Sequence, residues 1–96
     1  MFARMMTSTA KPESMDAAIA EWPHHIGAFK GKGLIAGYLF ADRANNKFLS
    51  ITIWESEEAQ KRNADSPEQI KGRTAFAKHL TGMPAASVYD VVATVT

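Results

Sequence analysis

Apolar residues alternate, shift to helical spacing and alternate again, in an order that reads strand–helix–strand–strand–helix–strand across the 96 residues. Two helices hide only one face of a four-stranded sheet, yet the candidate strands are apolar on both faces. Left bare, the second face would put a large apolar patch in water, which soluble monomers rarely tolerate. The order builds a split βαβ, ferredoxin-like α+β fold with an antiparallel sheet and both helices on one side. A second copy packed about a two-fold axis covers the bare face, so a homodimer is expected. The length allows a single domain, residues 1–96.

Residues 2–9 read as the first strand, with Phe2, Arg4, Met6 and Ser8 on one face and Ala3, Met5 and Thr7 on the other. Lys11-Pro12-Glu13 opens a helix whose apolar stripe is Met15, Ala18, Ile19, Trp22, Ile26 and Phe29. Pro23 should kink or restart it. Residues 34–41 and 47–54 are the next two strands. The polar stretch Asp42–Lys47, with Asn45-Asn46, makes them a hairpin. Ser56 caps a short acidic helix that breaks at Asp65. Ser66-Pro67-Glu68-Gln69 restarts it as a capping box, with Ile70, Arg73, Thr74, Ala77 and Leu80 on one face and Phe76 at its edge. Gly82 and Pro84 stop it, and residues 86–95 read as the last strand.

The charge balance is close to neutral, a net +1, so neither nucleic acid nor an anionic membrane is an expected partner. No run approaches the length of a membrane-spanning helix. The absence of cysteine excludes disulfides, thiol nucleophiles and thiolate metal sites, and fits a cytoplasmic protein.

The run Ile51-Thr52-Ile53-Trp54-Glu55-Ser56-Glu57-Glu58-Ala59 carries a strand-ending tryptophan followed by an acidic, capped helix. Gly33-Leu34-Ile35-Ala36-Gly37-Tyr38 is a glycine-led second strand. With the element order, these make the chain similar to the antibiotic biosynthesis monooxygenase family of the dimeric α/β-barrel superfamily, from Phe2 to Val95. The resemblance implies a homodimeric barrel with a pocket between sheet and helices in each subunit. It also implies one of two chemistries. Some members of the family oxidise polycyclic phenols, anthrones or hydroquinones with O₂ and no metal or flavin. A second branch degrades haem with a first-strand asparagine and a tryptophan and histidine on the second helix. Here those last two positions are Asn63 and Arg73, and residues 2–9 contain no asparagine, so haem degradation is not expected.

Cofactor-independent oxygenation needs a deprotonated, electron-rich substrate and a site that binds flat rings and stabilises the anion. Trp54, Trp22, Tyr38 and Phe76 are the candidate walls for a small aromatic ligand. Arg73, Asn63, His24, His25 and His79 are the candidate donors or bases, His79 also suiting the last turn of its helix by its charge alone. Each also has a plainer role. The two tryptophans suit core packing, and the adjacent histidines, roughly 100° apart on a helix, do not share one metal ion. Arg73 suits a salt bridge with Asp90 or Glu68, and Asn63 suits a helix end. Arg4 is a second inward-pointing charge, suited to linking subunits. A non-catalytic ligand-binding or stress-related dimer, or a non-oxidative isomerase or cyclase, would use the same pocket.

Overall fold

Three local signals of the sequence become three structural joints. The computed structural model describes residues 1–96. Asn46 takes φ 55°, the left-handed conformation that asparagine tolerates, and turns the chain between β2 (Leu34–Asp42) and β3 (Lys47–Trp54). Ser56 accepts from Ala59 N–H at 3.0 Å and starts α2 (Glu57–Ala64). Ser66 accepts from Gln69 N–H at 3.2 Å and, with Pro67 behind it, starts α3 (Pro67–Ala77). Only half of the expected capping box forms, because the Ser66 N–H goes to Asn63 O instead. That leaves the Gln69 side chain free to turn elsewhere.

The remaining elements are β1 (Phe2–Thr9), α1 (Met15–Gly27, entered through a 3₁₀ turn at Pro12–Ser14) and β4 (Ala85–Asp90). The strands form one sheet in the order β2-β3-β1-β4, antiparallel throughout. This is the expected ferredoxin-like α+β arrangement, with the second helical segment split in two.

Three details differ from the sequence reading. Pro23 does not restart α1, which runs on through it from Met15 to Gly27. One backbone bond is lost there, but Trp22 and Ile26 on either side both press on the sheet at Gly37 and hold the helix together. β4 ends at Asp90, opposite Phe2, rather than at residue 95. Val91 N–H still reaches Met1 O at 3.1 Å, but beyond it β1 offers no partner. Finally, the inward face of α3 is rotated by about one residue, leaving Ile70 53% exposed.

The helices cover the face carrying Phe2, Arg4, Met6 and Ser8 of β1 and Phe48, Ser50, Thr52 and Trp54 of β3. At one end Phe48 packs with Ala10, Met15 and Ala18. At the other Trp54, 3% exposed, tilts against the fully buried Phe29 with ring centroids 5.8 Å apart. Gly33, at φ 102°, lets α2 close on this end, since a Cβ there would stand 2.7 Å from Ala59 Cβ. No helix covers the opposite face, which presents Met5, Tyr38, Phe40, Leu49, Ile51 and Tyr89. Tyr38 and Phe40 stack there at 6.3 Å, and both are half exposed.

Candidate functional site

Between the two packed ends, the covered face is built from small residues. Ser50 and Thr52 stand between Phe48 and Trp54 on β3, and Gly37 lies opposite Thr52 on β2. Large flanks around a small centre leave a cavity of about 320 Å³ under α1 and α3. That is at the low end of the range for small-molecule sites, about 300–1,000 Å³.

Its walls are mostly apolar. Trp22 and Ile26 come from α1, Leu39 and Phe48 from the sheet, and Phe76 from α3. Gly37 makes room for the indole of Trp22: a Cβ there would meet Trp22 Cη2 and Ile26 Cγ2, each at 3.1 Å. Trp54 is held by its Nε1–H, which donates to Thr52 Oγ1 at 2.9 Å in a buried bond. Phe76 sits edge-on to His25, with centroids 6.5 Å apart, and to His79 at 5.9 Å.

The polar groups are few. His25 enters the wall from the last turn of α1, where it crosses α3 at Gly72. Its Nε2 is buried without a hydrogen-bond partner, and Glu21 Oε2 is 3.9 Å away. Glu21 lies one helical turn earlier and is anchored from the other side. The buried His79 donates to Glu21 Oε2 at 2.9 Å, and Lys78 Nζ lies 3.3 Å from Oε1. The His79 hydrogen bond above all, with Lys78 adding to it, holds the Glu21 carboxyl below its ordinary pKa. The carboxylate beside His25 is therefore charged at neutral pH.

Two guanidinium groups complete the lining, Arg4 from β1 and Arg73 from α3. Arg73 Nη2 donates to Ala64 O at 2.8 Å, fixing part of its fork to the end of α2. Arg4 is half-buried. Burial, and then repulsion from Arg73, push its pKa below the ordinary arginine value, and Asp65 opposes this more weakly.

Of the residues singled out from sequence, the structure brings Trp22, Trp54, Phe76, His25 and Arg73 together around one cavity. Four lie elsewhere. His79 binds Glu21 and does not line the cavity. Tyr38 is on the uncovered face of the sheet, across from the cavity. His24 is exposed on the outer side of α1. Asn63 is 5% exposed, and its amide donates to Lys32 O and Ala59 O, each at 2.8 Å, tying α2 to the loop before β2. Arg4 faces the cavity rather than the uncovered sheet face. Glu21 was not singled out, although its spacing from His25, four residues on a helix, was a readable signal. Gln69 and Gly72 were also missed, because they become visible only once α3 is rotated into place.

The model of the antibiotic biosynthesis monooxygenase family matches residues 1–80. No functionally curated protein matches the chain by sequence. Several solved structures share the fold at low identity. Rv0793 from Mycobacterium tuberculosis is 17% identical, with a TM-score of 0.80 over 99% of this chain and 98% of that one. SnoaB from Streptomyces nogalater, a cofactor-independent oxygenase, is 19% identical, with a TM-score of 0.71 over 98% and 93%. A conserved protein from Methanosarcina mazei Go1 is 13% identical, with a TM-score of 0.78 over 93% and 91%. The element order, the tryptophan-ended third strand and the family match agree: the chain belongs to the antibiotic biosynthesis monooxygenase family.

Proposed function

We propose that the protein is a cofactor-independent monooxygenase acting on a polycyclic phenol, anthrone or hydroquinone, working as a homodimer. The observation that carries this reading is His25. It is a histidine in the wall of an aromatic cavity with a charged carboxylate behind it. SnoaB, a cofactor-independent oxygenase with the same fold, adds support.

The chemistry needs only a base, a ring pocket and O₂ as oxidant. Glu21 lies nearest Nε2 of His25, which favours the tautomer protonated there. Nδ1, on the side of Gly72, then accepts the proton from the substrate. Glu21 stabilises the resulting imidazolium. The substrate anion, held between Trp22, Trp54 and Phe76, passes one electron to O₂. The radical and superoxide combine to a peroxide. For an anthrone methylene, loss of water from that peroxide leaves a carbonyl. One oxygen atom enters the product and the other leaves as water, so the four electrons lost by carbon balance the four gained by O₂. No further reductant enters.

The test is oxygen uptake by metal-stripped protein with a panel of anthrones and reduced naphthoquinones. Uptake well above the spontaneous rate is expected, and His25→Gln should lower kcat about 100-fold or more. Saturable binding without uptake would replace this reading with a non-catalytic binder. Uptake indifferent to His25→Gln would remove the base.

A further inference from the structure

Arg4 is a charged group with no hydrogen-bonded or ion-paired partner in the fold. It extends from the middle of β1 into the cavity, between Thr52 on β3 and Val88 on β4. It takes part in none of the side-chain hydrogen bonds or ion pairs of the fold. Among charged groups the repulsion from Arg73 outweighs the attraction of Asp65, and no aspartate or glutamate lines the cavity. Half-buried cations in an apolar setting are ordinarily paired, because desolvation without a partner is costly. The half-buried Arg4, with the exposed Arg73 lining the same cavity, is an arrangement that a bound anion relieves.

We infer that the substrate carries a carboxylate, and that Arg4, assisted by Arg73, binds it while the aromatic part of the molecule lies between the tryptophans. This rests on the reading of the cavity as the substrate site. The planar guanidinium fork matches the two oxygens of a carboxylate. The hydroxyl of Thr52, beside Arg4 in the ladder, and the Gln69 amide released from its cap also line the cavity and add neutral donors. Phosphate would meet the same fork, but the mostly apolar lining favours the singly charged carboxylate, whose desolvation costs less.

The test compares 2-naphthoate with its neutral isostere 2-naphthamide, read by quenching of Trp22 and Trp54 fluorescence. The acid is expected to bind at least about tenfold more tightly, as a charge-assisted hydrogen bond allows, and to weaken with added salt. Arg4→Gln should abolish the preference and leave amide binding in place, while Arg4→Lys retains part of it. Circular dichroism confirms that both variants fold. Equal affinity for acid and amide overturns the inference. So does failure of both to bind at millimolar concentration, or a preference that survives Arg4→Gln. Failure here is separable from failure of the oxygenase reading. Acid-selective binding without oxygen uptake removes only the oxygenase, and uptake without acid selectivity removes only the carboxylate.

Discussion

The bond from Trp54 Nε1–H to Thr52 Oγ1 joins the family's sequence signature to the cavity wall, and a double-mutant cycle measures it. Thr52 is 7% exposed and Trp54 3%, so both groups are largely shielded from bulk water when a partner is removed. Trp54→Phe deletes the donor and strands the threonine hydroxyl, at about 1–3 kcal/mol. It also opens a gap against Phe29, where the second indole ring stood, at about 1–2 kcal/mol. A total near 3 kcal/mol lowers Tm by roughly 10–20 °C in a domain of this size. Thr52→Val keeps the shape but strands the indole N–H, at about 1–2 kcal/mol. In the double variant no stranded partner remains, so its cost should fall below the sum by about 1–2 kcal/mol. The assay is urea unfolding followed by circular dichroism at one fixed protomer concentration, since association adds its own concentration dependence. Single-variant costs that add within about 0.5 kcal/mol would refute the claim that this bond holds the ring in place.

Glu21 gives the protein an acid-sensitive joint. A carboxyl whose folded pKa is depressed contributes stability that is fully present above its unfolded value, 4.5, and lost as pH falls through the lower folded value. The stability advantage of wild type over Glu21→Gln should therefore be constant above that value and shrink below it, as urea midpoints taken between about pH 3 and 6 would record. An advantage that grows with acid would reverse the sign and remove the His79 contact as its cause. The uncovered sheet face predicts the assembly state. Light scattering should give twice the 10.5 kDa chain mass, and Ile51→Lys, at the centre of that face, should yield a folded monomer. A wild-type monomer at micromolar concentration would leave the apolar face without its proposed cover.

Alternation and turn chemistry made most of the fold legible. Phe48-Leu49-Ser50-Ile51-Thr52-Ile53-Trp54 sorts its two faces residue by residue, and Ser66-Pro67 marks a helix start. These are local properties, and the structure keeps them. What escaped depends on tertiary partners. The fate of Pro23 turned on how firmly Trp22 and Ile26 grip Gly37. The end of β4 turned on where β1 begins. Alternation puts Tyr38 on one face with Phe40, but it does not say which of two apolar faces the helices will choose. Asn63 could be aligned by position with a functional residue of relatives. Of the two backbone carbonyls it meets at 2.8 Å, Ala59 O is local, but Lys32 O is a contact across 31 residues that local pattern does not encode.

The sheet separates the proposed ligand site from the proposed dimer face by a single step along the chain. Arg4 faces the cavity and Met5 the uncovered side; Thr52 and Ile53 divide in the same way. Neighbouring residues are thus free to answer different demands, provided the register holds, since a slip of one residue would exchange every pair. The cavity itself is a gradient of side-chain size on one face, small at Gly37, Ser50 and Thr52 and large at Phe48 and Trp54. Its volume is set by positions that never touch the opposite face. Substrate size and polarity can therefore change by substitution at the small positions, and the charge that meets the ligand by substitution at Arg4, without altering the surface that a second copy would recognise. Solved structures at 13–19% identity share this one architecture, as a fold divided in this way allows.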